Sequence, residues 1–563
     1  MISEAQLSPK KRRLLAQSLA DFDPRWDESA GLLHGEDGGT GHVTRASVFY
    51  ALALLIRQGP GDADRADRIL RAVLSLQRLN PGQLWHGTFA SLQEQPCPVP
   101  APFDMGEMTA LAHWEGDVLW EKLTTAFAAR LRKDPELAGR TPELSGILAA
   151  SLRDVWPTVW ETYDPNWREF IFATMALILE EFDALLPAET VSAVERAARE
   201  GLKGARFRAE SGLTPLNTNV EVMHVFIFDA FARRFRDPEL AEYAADYARR
   251  FTEDYLAHHA VAEFNSPTYN GVVLSYTNLL WSRGGSEAVR RMGEVLETGL
   301  WEDFADFYNP ALGALCGPFT RAYGLRIDGT ALPMLMYLGM DEIPEDRAPA
   351  FGPETESACI LCCGEPRIPE HVSRALTASR GERRLERSFR ELAERGKPGD
   401  NRSLCTATAW ITDDLMIGGM RGSTNTSHQL HAGTVHWRNS QGGVSGMKLL
   451  RRSGEGQLIH LRTVYLDMKA EPGLLEGEIR NETNGTILCD FEVESPGAAR
   501  GAYAEDCWQV DGLRCGVRLT RVRPGQPDLP VAAVPTAERE DLVRLTAPLG
   551  PGETMRVRLE PAL

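Results

Sequence analysis

The chain has 563 residues, 43% of them apolar and 25% charged, the composition of an ordinary folded protein, and its length exceeds one compact core. A formal charge of −18 argues against a nucleic-acid partner or an anionic membrane surface. No run is apolar for long enough to cross a bilayer, whereas an acidic ligand stays open because a local pocket overrides the global sum.

The opening residues, MISEAQLSPKKRRLL, are basic without an apolar run behind them, so no secretory signal is read. The nine cysteines are odd in number and scattered, which fits a reduced, cytoplasmic protein. From about residue 40 to 340 the pattern is helical, and two kinds of helix alternate. VFYALALLI, FIFATMALILEEF, VEVMHVFIFDAF and VVLSYTNLLW are apolar on most sides. DADRADRILRAVLSLQRL, AETVSAVERAAREGL, PELAEYAADYARRF and SEAVRRMGEVLETGL are strongly amphipathic. A helix apolar all round must be buried, and one with a polar face lies at the surface. The alternation therefore predicts an inner and an outer ring, an (α/α)n toroid of about five to six pairs over residues 1–345. Residues 346–400 read as a linker with a helix in HVSRALTASRGERRLERSFRELAERG, and the ACILCC run (Cys359, Cys362, Cys363) reads as a buried strand. Pro- and Gly-rich breaks (EIPEDRAPAFGPE, ERGKPGDNR, RPGQPDLP) separate short β-type runs such as TATAWITDDLMIGGM, GTVHWRN and TILCDFEVE. They predict an antiparallel β-sandwich over 401–563, making the chain mostly α with a C-terminal β domain.

Polar residues collect where the inner helices begin. Thr44 can cap a helix carrying Arg45 in its first turn. Asp164 is a natural N-cap, followed by Pro165, Asn166 and Trp167. Thr218 and Glu221 have capping-box spacing, which puts Asn219 at the first helical residue. In EFNSPTYNGV, Ser266 can cap, Pro267 starts a helix, and Glu263, Asn265 and Tyr269 flank the turn. In a toroid these starts open at one end, where free N–H groups and helix dipoles favour an anion. His224 lies on the apolar stripe of its helix, a position of core histidines that in an inner helix can also face the funnel. Trp85 and His86 occupy a loop suited to stacking on a sugar or to core packing. Arg321 and Tyr323 share the Gly- and Pro-flanked loop GPFTRAYG, and Arg321 suits bidentate pairing with a carboxylate. His428 and His431 lie in a loop entering a strand that contains His436. From there they can supply a base; no metal set is assigned to them, and no cofactor is implied.

A helical toroid followed by an antiparallel sandwich resembles the two-domain polysaccharide lyases, the alginate lyase-like and heparinase II/III-like enzymes. DPNW with Asn166 and TNV with Asn219 look like the Asn-bearing inner helices of that family, and EFNSPTY looks like its tyrosine segment. SHQLHAGTVHW is similar to its strand-entry histidine motif, although His428 and His431 are three apart and no Asp follows. The resemblance implies β-elimination at a uronic acid in an acidic oligosaccharide. Asn166, Asn219, Asn265, Arg45, Trp85, His86, Tyr323 and His431 would bind substrate, and Tyr269, His224, Glu263, His428 and Arg321 would serve the chemistry. A cytoplasmic location would suit exo-type action on short chains, and assembly into a homo-oligomer is left open. Two alternatives stand beside this reading: a glycoside hydrolase of (α/α)n type using Asp164 and Glu263 as its carboxylate pair, and a non-catalytic carbohydrate-binding protein.

Overall fold

A computed structural model describes residues 2–36, 41–97, 116–155, 163–211, 216–352, 355–392, 403–425, 427–454, 456–458, 463–483, 485–496, 501–522, 527–539 and 541–563. The ERGKPGDNR break and the first half of RPGQPDLP lie outside the described residues.

The apolar helices form the inner ring. Thr44–Arg57, Trp167–Phe182, Thr218–Phe235 and Tyr269–Arg283 pack side by side in that order, and Ala331–Gly339 follows. The N-terminal helix Pro9–Arg25 and the short helix Ala358–Leu361 close the ring back onto Thr44–Arg57. Every residue from Thr218 to Ala232 is buried, which only an inner helix allows. The amphipathic helices Asp62–Ser75, Ala188–Ser211, Pro238–His258 and Glu287–Phe307 each pack outside the inner helix that precedes them. The ring spacing is tight at Gly201, where a Cβ would sit 2.0 Å from the Phe172 ring.

The sandwich is built from an eight-stranded and a seven-stranded sheet, in both of which neighbouring strands run antiparallel. Strand Val464–Glu471 of the smaller sheet buries alternate residues against Leu404–Ile411 and Leu415–Arg421 of the larger one. Leu415–Arg421 is buried on both faces up to its last residue, because the toroid covers its other side. Its two central glycines mark that contact. A Cβ on Gly418 would sit 2.0 Å from the Gly317 carbonyl oxygen of the helical part, and one on Gly419 would sit 2.8 Å from the Ala470 nitrogen of the facing sheet.

The span read as a linker contains the helix Glu370–Thr377 and then the edge strand Arg383–Arg390 of the larger sheet. The sequence RRLERSFR alternates exposed and less exposed positions, and its arginines suit an unpaired sheet edge. Cys359, Cys362 and Cys363 are buried as expected, but in a helical turn rather than a strand. Nor does the capping box at Thr218 form. The Thr218 hydroxyl accepts the Ala262 N–H at 2.9 Å, and Glu221 accepts the Tyr247 hydroxyl at 2.7 Å.

Candidate active site

The inner-ring helix starts meet at a cavity of about 550 Å³. Arg45, Asp164, Asn166, Trp167, Asn219, Thr268, Tyr269 and Tyr323 line it, together with Arg25, Glu36 and Glu356.

Behind this lining is a set of buried anchors. Asp164 Oδ1 accepts the Asn166 N–H at 2.7 Å, so it caps the turn before the helix, which itself begins at Trp167. Asn166 Oδ1 accepts from buried Arg208 at 2.9 Å, which fixes the amide's orientation. Burial raises the Asp164 pKa, against the pull of Arg45 and Arg208. Arg45 lies 4.5 Å over the Trp167 ring and 3.7 Å from Glu356, so it is braced by an aromatic face and a carboxylate.

Tyr269 is set by its own turn. The Ser266 hydroxyl accepts the Tyr269 N–H at 2.9 Å and donates to the Arg321 carbonyl, tying the helix start to the next loop. The Arg321 guanidinium lies 4.2 Å over the Tyr269 ring, donates to its hydroxyl oxygen at 3.3 Å, and meets Glu263 at 2.6 Å. The Tyr269 hydroxyl in turn donates to the Tyr323 oxygen at 3.0 Å. Burial holds the Tyr269 phenol well above its ordinary pKa, and Arg321 opposes that shift. Glu263 is fully buried; its other oxygen accepts the Asn219 N–H at 3.3 Å, at the start of the preceding inner helix. Burial raises its carboxyl pKa as well, with Arg321 the chief opposing influence. Asn219 is 3% exposed, and its side-chain oxygen has no hydrogen-bond partner among the described residues. A buried amide in that state is suited to a ligand group.

The β-sandwich holds the Arg321 loop in place. Phe319 and His431 exchange backbone hydrogen bonds of 2.9 and 3.1 Å, and Ala322 N donates to the Gln429 carbonyl at 3.0 Å. Gln429 Oε1 accepts from Arg321 Nε at 3.2 Å, so a side chain of the second domain reaches the first domain's site.

Several expected site residues lie elsewhere. His224 is buried among Phe228, Tyr243 and Tyr247, its Nε2 2.9 Å from the Tyr243 hydroxyl, and desolvation pushes its pKa down to about 3. It is a neutral core residue facing the outer helix, which corrects its reading as a base. His431 is buried with its pKa far below normal through desolvation, and its Nε2 lies 3.1 Å from the Ala322 carbonyl, so it positions the loop rather than substrate. His428 is half-buried beside it and does not line the cavity. Trp85 packs on Tyr163, and His86 pairs with Asn80 N and Glu200, and neither lines the cavity. Asn265 donates to the Cys316 and Pro318 carbonyls at 2.7 and 3.1 Å, holding the loop that leads to Arg321. Glu263 acts through Arg321 and does not line the cavity, so it does not form a carboxylate pair with Asp164.

Arg25, Glu36, Glu356 and Gln429 are the cavity or near-cavity residues that sequence reasoning missed. Glu36 and Glu356 hydrogen-bond to each other, and burial together with Glu356 pushes the Glu36 pKa up to about 7. Arg25 lies 3.6 Å from each of these carboxylates. No local pattern marks them. The SHQLH motif did, however, draw attention to the right loop.

Residues 12–110 and 151–341 match a family model described as a domain of unknown function (DUF8769), and the chain belongs to that family. No curated protein matches it by sequence. Among solved structures, the Streptomyces coelicolor A3 chondroitin AC lyase in complex with chondroitin sulphate is similar at 12% identity and a TM-score of 0.35, over 99% of this chain and 83% of that one. A tyrosine-to-alanine mutant of the same lyase is similar at 12% identity and a TM-score of 0.34, over 98% and 83%. Both superpositions are loose.

Proposed function

We propose that the chain is a carbon–oxygen lyase that cleaves a uronic-acid-containing oligosaccharide by β-elimination. The observation that carries this reading is the Tyr269 hydroxyl, held between Arg321 and Tyr323 at the edge of a cavity that Asn166 and Asn219 also line. The C5 proton of a uronate is weakly acidic until its carboxylate is neutralised. The amide NH2 groups of Asn219 and Asn166 can donate to that carboxylate, with Arg45, stacked on Trp167, supplying charge. Tyr269 must ionise against the burial that raises its pKa, a cost the Arg321 guanidinium reduces; the phenolate takes the C5 proton, the C4–C5 double bond forms as the C4–oxygen bond breaks, and the phenol returns the proton to the leaving oxygen. Glu263 keeps Arg321 in position and compensates its charge. The test is incubation with acidic oligosaccharides while following the ultraviolet absorbance of the conjugated unsaturated product. Tyr269→Phe is expected to abolish that signal. Cleavage that releases reducing ends without absorbance gain would overturn the lyase reading.

One observation favours a second reading, a glycoside hydrolase: the Glu36–Glu356 pair lines the same cavity, and one member is held in the range of a general acid. Carboxyl groups hydrogen-bonded to one another are closer than the roughly 5 Å or more that hydrolytic pairs need. This reading therefore ranks second. Glu356→Gln abolishing cleavage, with Tyr269→Phe leaving it intact, would reverse the order.

A further inference from the structure

Apart from the Tyr269 site, side chains with metal-binding chemistry converge on a small three-stranded sheet. Trp26–Asp27, Leu32–His34 and His42–Val43 pair antiparallel, and the register sets His34 directly opposite His42. Their rings lie 4.6 Å apart between centroids and are tilted by 33°. Both reach one carboxylate oxygen: Asp27 Oδ2 is 3.0 Å from His42 Nε2 and 3.5 Å from His34 Nε2. The three atoms all lie within 4.8 Å of one another. The other Asp27 oxygen is already occupied, accepting the Ser29 N–H and hydroxyl at 2.7 Å each and the Ala30 N–H at 3.3 Å. Only Oδ2 is left to ligate.

Tetrahedral bonds of about 2.0–2.1 Å place neighbouring ligand atoms about 3.3 Å apart. The two separations from Asp27 Oδ2, 3.0 and 3.5 Å, bracket that value, and the two imidazole nitrogens lie within 4.8 Å of each other. Glu94 adds an independent observation. One of its oxygens lies 2.7 Å from His42 Nδ1 and the other accepts the His42 N–H at 3.1 Å, so the ring is held with Nε2 toward Asp27. A carboxylate on the far nitrogen of a histidine is the outer support that metal-bound imidazoles use. Two imidazoles and one monodentate carboxylate suit a first-row transition ion, whereas calcium and magnesium prefer oxygen alone.

We propose that Asp27, His34 and His42 bind one divalent transition-metal ion of the zinc class, with at least one coordination position left open. None of the three lines the cavity, but Glu36, two residues beyond His34, and Val43 and Arg45, just beyond His42, all do. The ion would clamp the two strands that carry this wall, so its role is to fix the cavity's shape. The competing arrangement is a proton on His42 that joins Asp27 to Glu94 with no metal.

The test uses the full chain, stripped with EDTA and titrated calorimetrically with Zn²⁺, and spectroscopically with Co²⁺, beside His34→Gln and His42→Gln. One equivalent is expected to bind, with visible cobalt absorption and a zinc-dependent rise in melting temperature. Each substitution should weaken binding at least tenfold and remove that rise. His34 is partly exposed, so the metal-free melting temperature of His34→Gln should match the metal-free parent. Lack of saturable binding by the parent chain overturns the proposal. So does binding that survives in both variants, which would place the ion elsewhere.

Discussion

On one side of the cavity Asn166, Asn219 and Tyr269 are held from behind, by Arg208, by the helix start beside Glu263, and by Arg321. Elsewhere in the lining Arg25, Glu36, Arg45 and Glu356 hold one another through ion pairs of 3.6 to 3.7 Å and one carboxyl–carboxyl contact. The first wall is anchored in the dry core, where electrostatic interactions are strong and geometry is costly to change. The second is partly solvated, so its charges are screened and its contacts adjust. Chemistry needs the first kind of wall, and admitting or rejecting a charged ligand can be done by the second.

Substitutions on the two walls should separate these roles. The largest effect is expected for Tyr269→Phe, a loss of about a thousandfold in kcat with unchanged circular dichroism. A loss of less than tenfold would move the chemistry to the carboxylate wall. Arg321→Ala leaves Glu263 buried without its partner, so denaturant unfolding should show a loss of about 3–5 kcal/mol together with loss of turnover. Asn219→Ala should lower kcat by about a hundredfold while leaving stability nearly unchanged, because its side-chain oxygen has no protein partner among the described residues. Arg45→Ala, on the adjustable wall, should chiefly raise KM and cost less than about 1 kcal/mol of stability.

The smallest effect concerns pH. The folded pKa of Glu36, about 7, lies above its ordinary 4.5, so the folded chain binds this proton more tightly than the unfolded chain does. Its contribution to stability is full below pH 4.5 and is lost as pH rises through about 7. Glu356→Gln removes the repelling charge and should flatten that loss, raising the melting temperature above this window by about 1 °C. An unchanged slope would mean that the pair does not form in solution.

Asn166, Asn219 and Tyr269 could be found from the sequence because each follows a capping or turn signal at the start of an apolar helix. The same reasoning misplaced His224. Periodicity puts it on a buried stripe, but in a double ring a buried side chain can face the cavity or the outer helix, and contact with Tyr243 shows that it faces the latter. Glu36 and Glu356 meet across most of the chain with no local pattern to announce them. The edge strand Arg383–Arg390 was hidden by its arginines, which read as a polar helix until a neighbouring strand is there to pair with it.

The sequence alone determined which helices are buried, to within a few residues where they begin, and that a sandwich follows, because hydrophobic periodicity and turn chemistry are local properties. Only the tertiary structure decided which polar residues share a cavity and that Gln429 of the sandwich reaches Arg321. It also decided that Glu263 pairs with Arg321 and does not line the cavity. Those outcomes depend on ring closure and domain docking, which bring together atoms that no spacing along the chain relates.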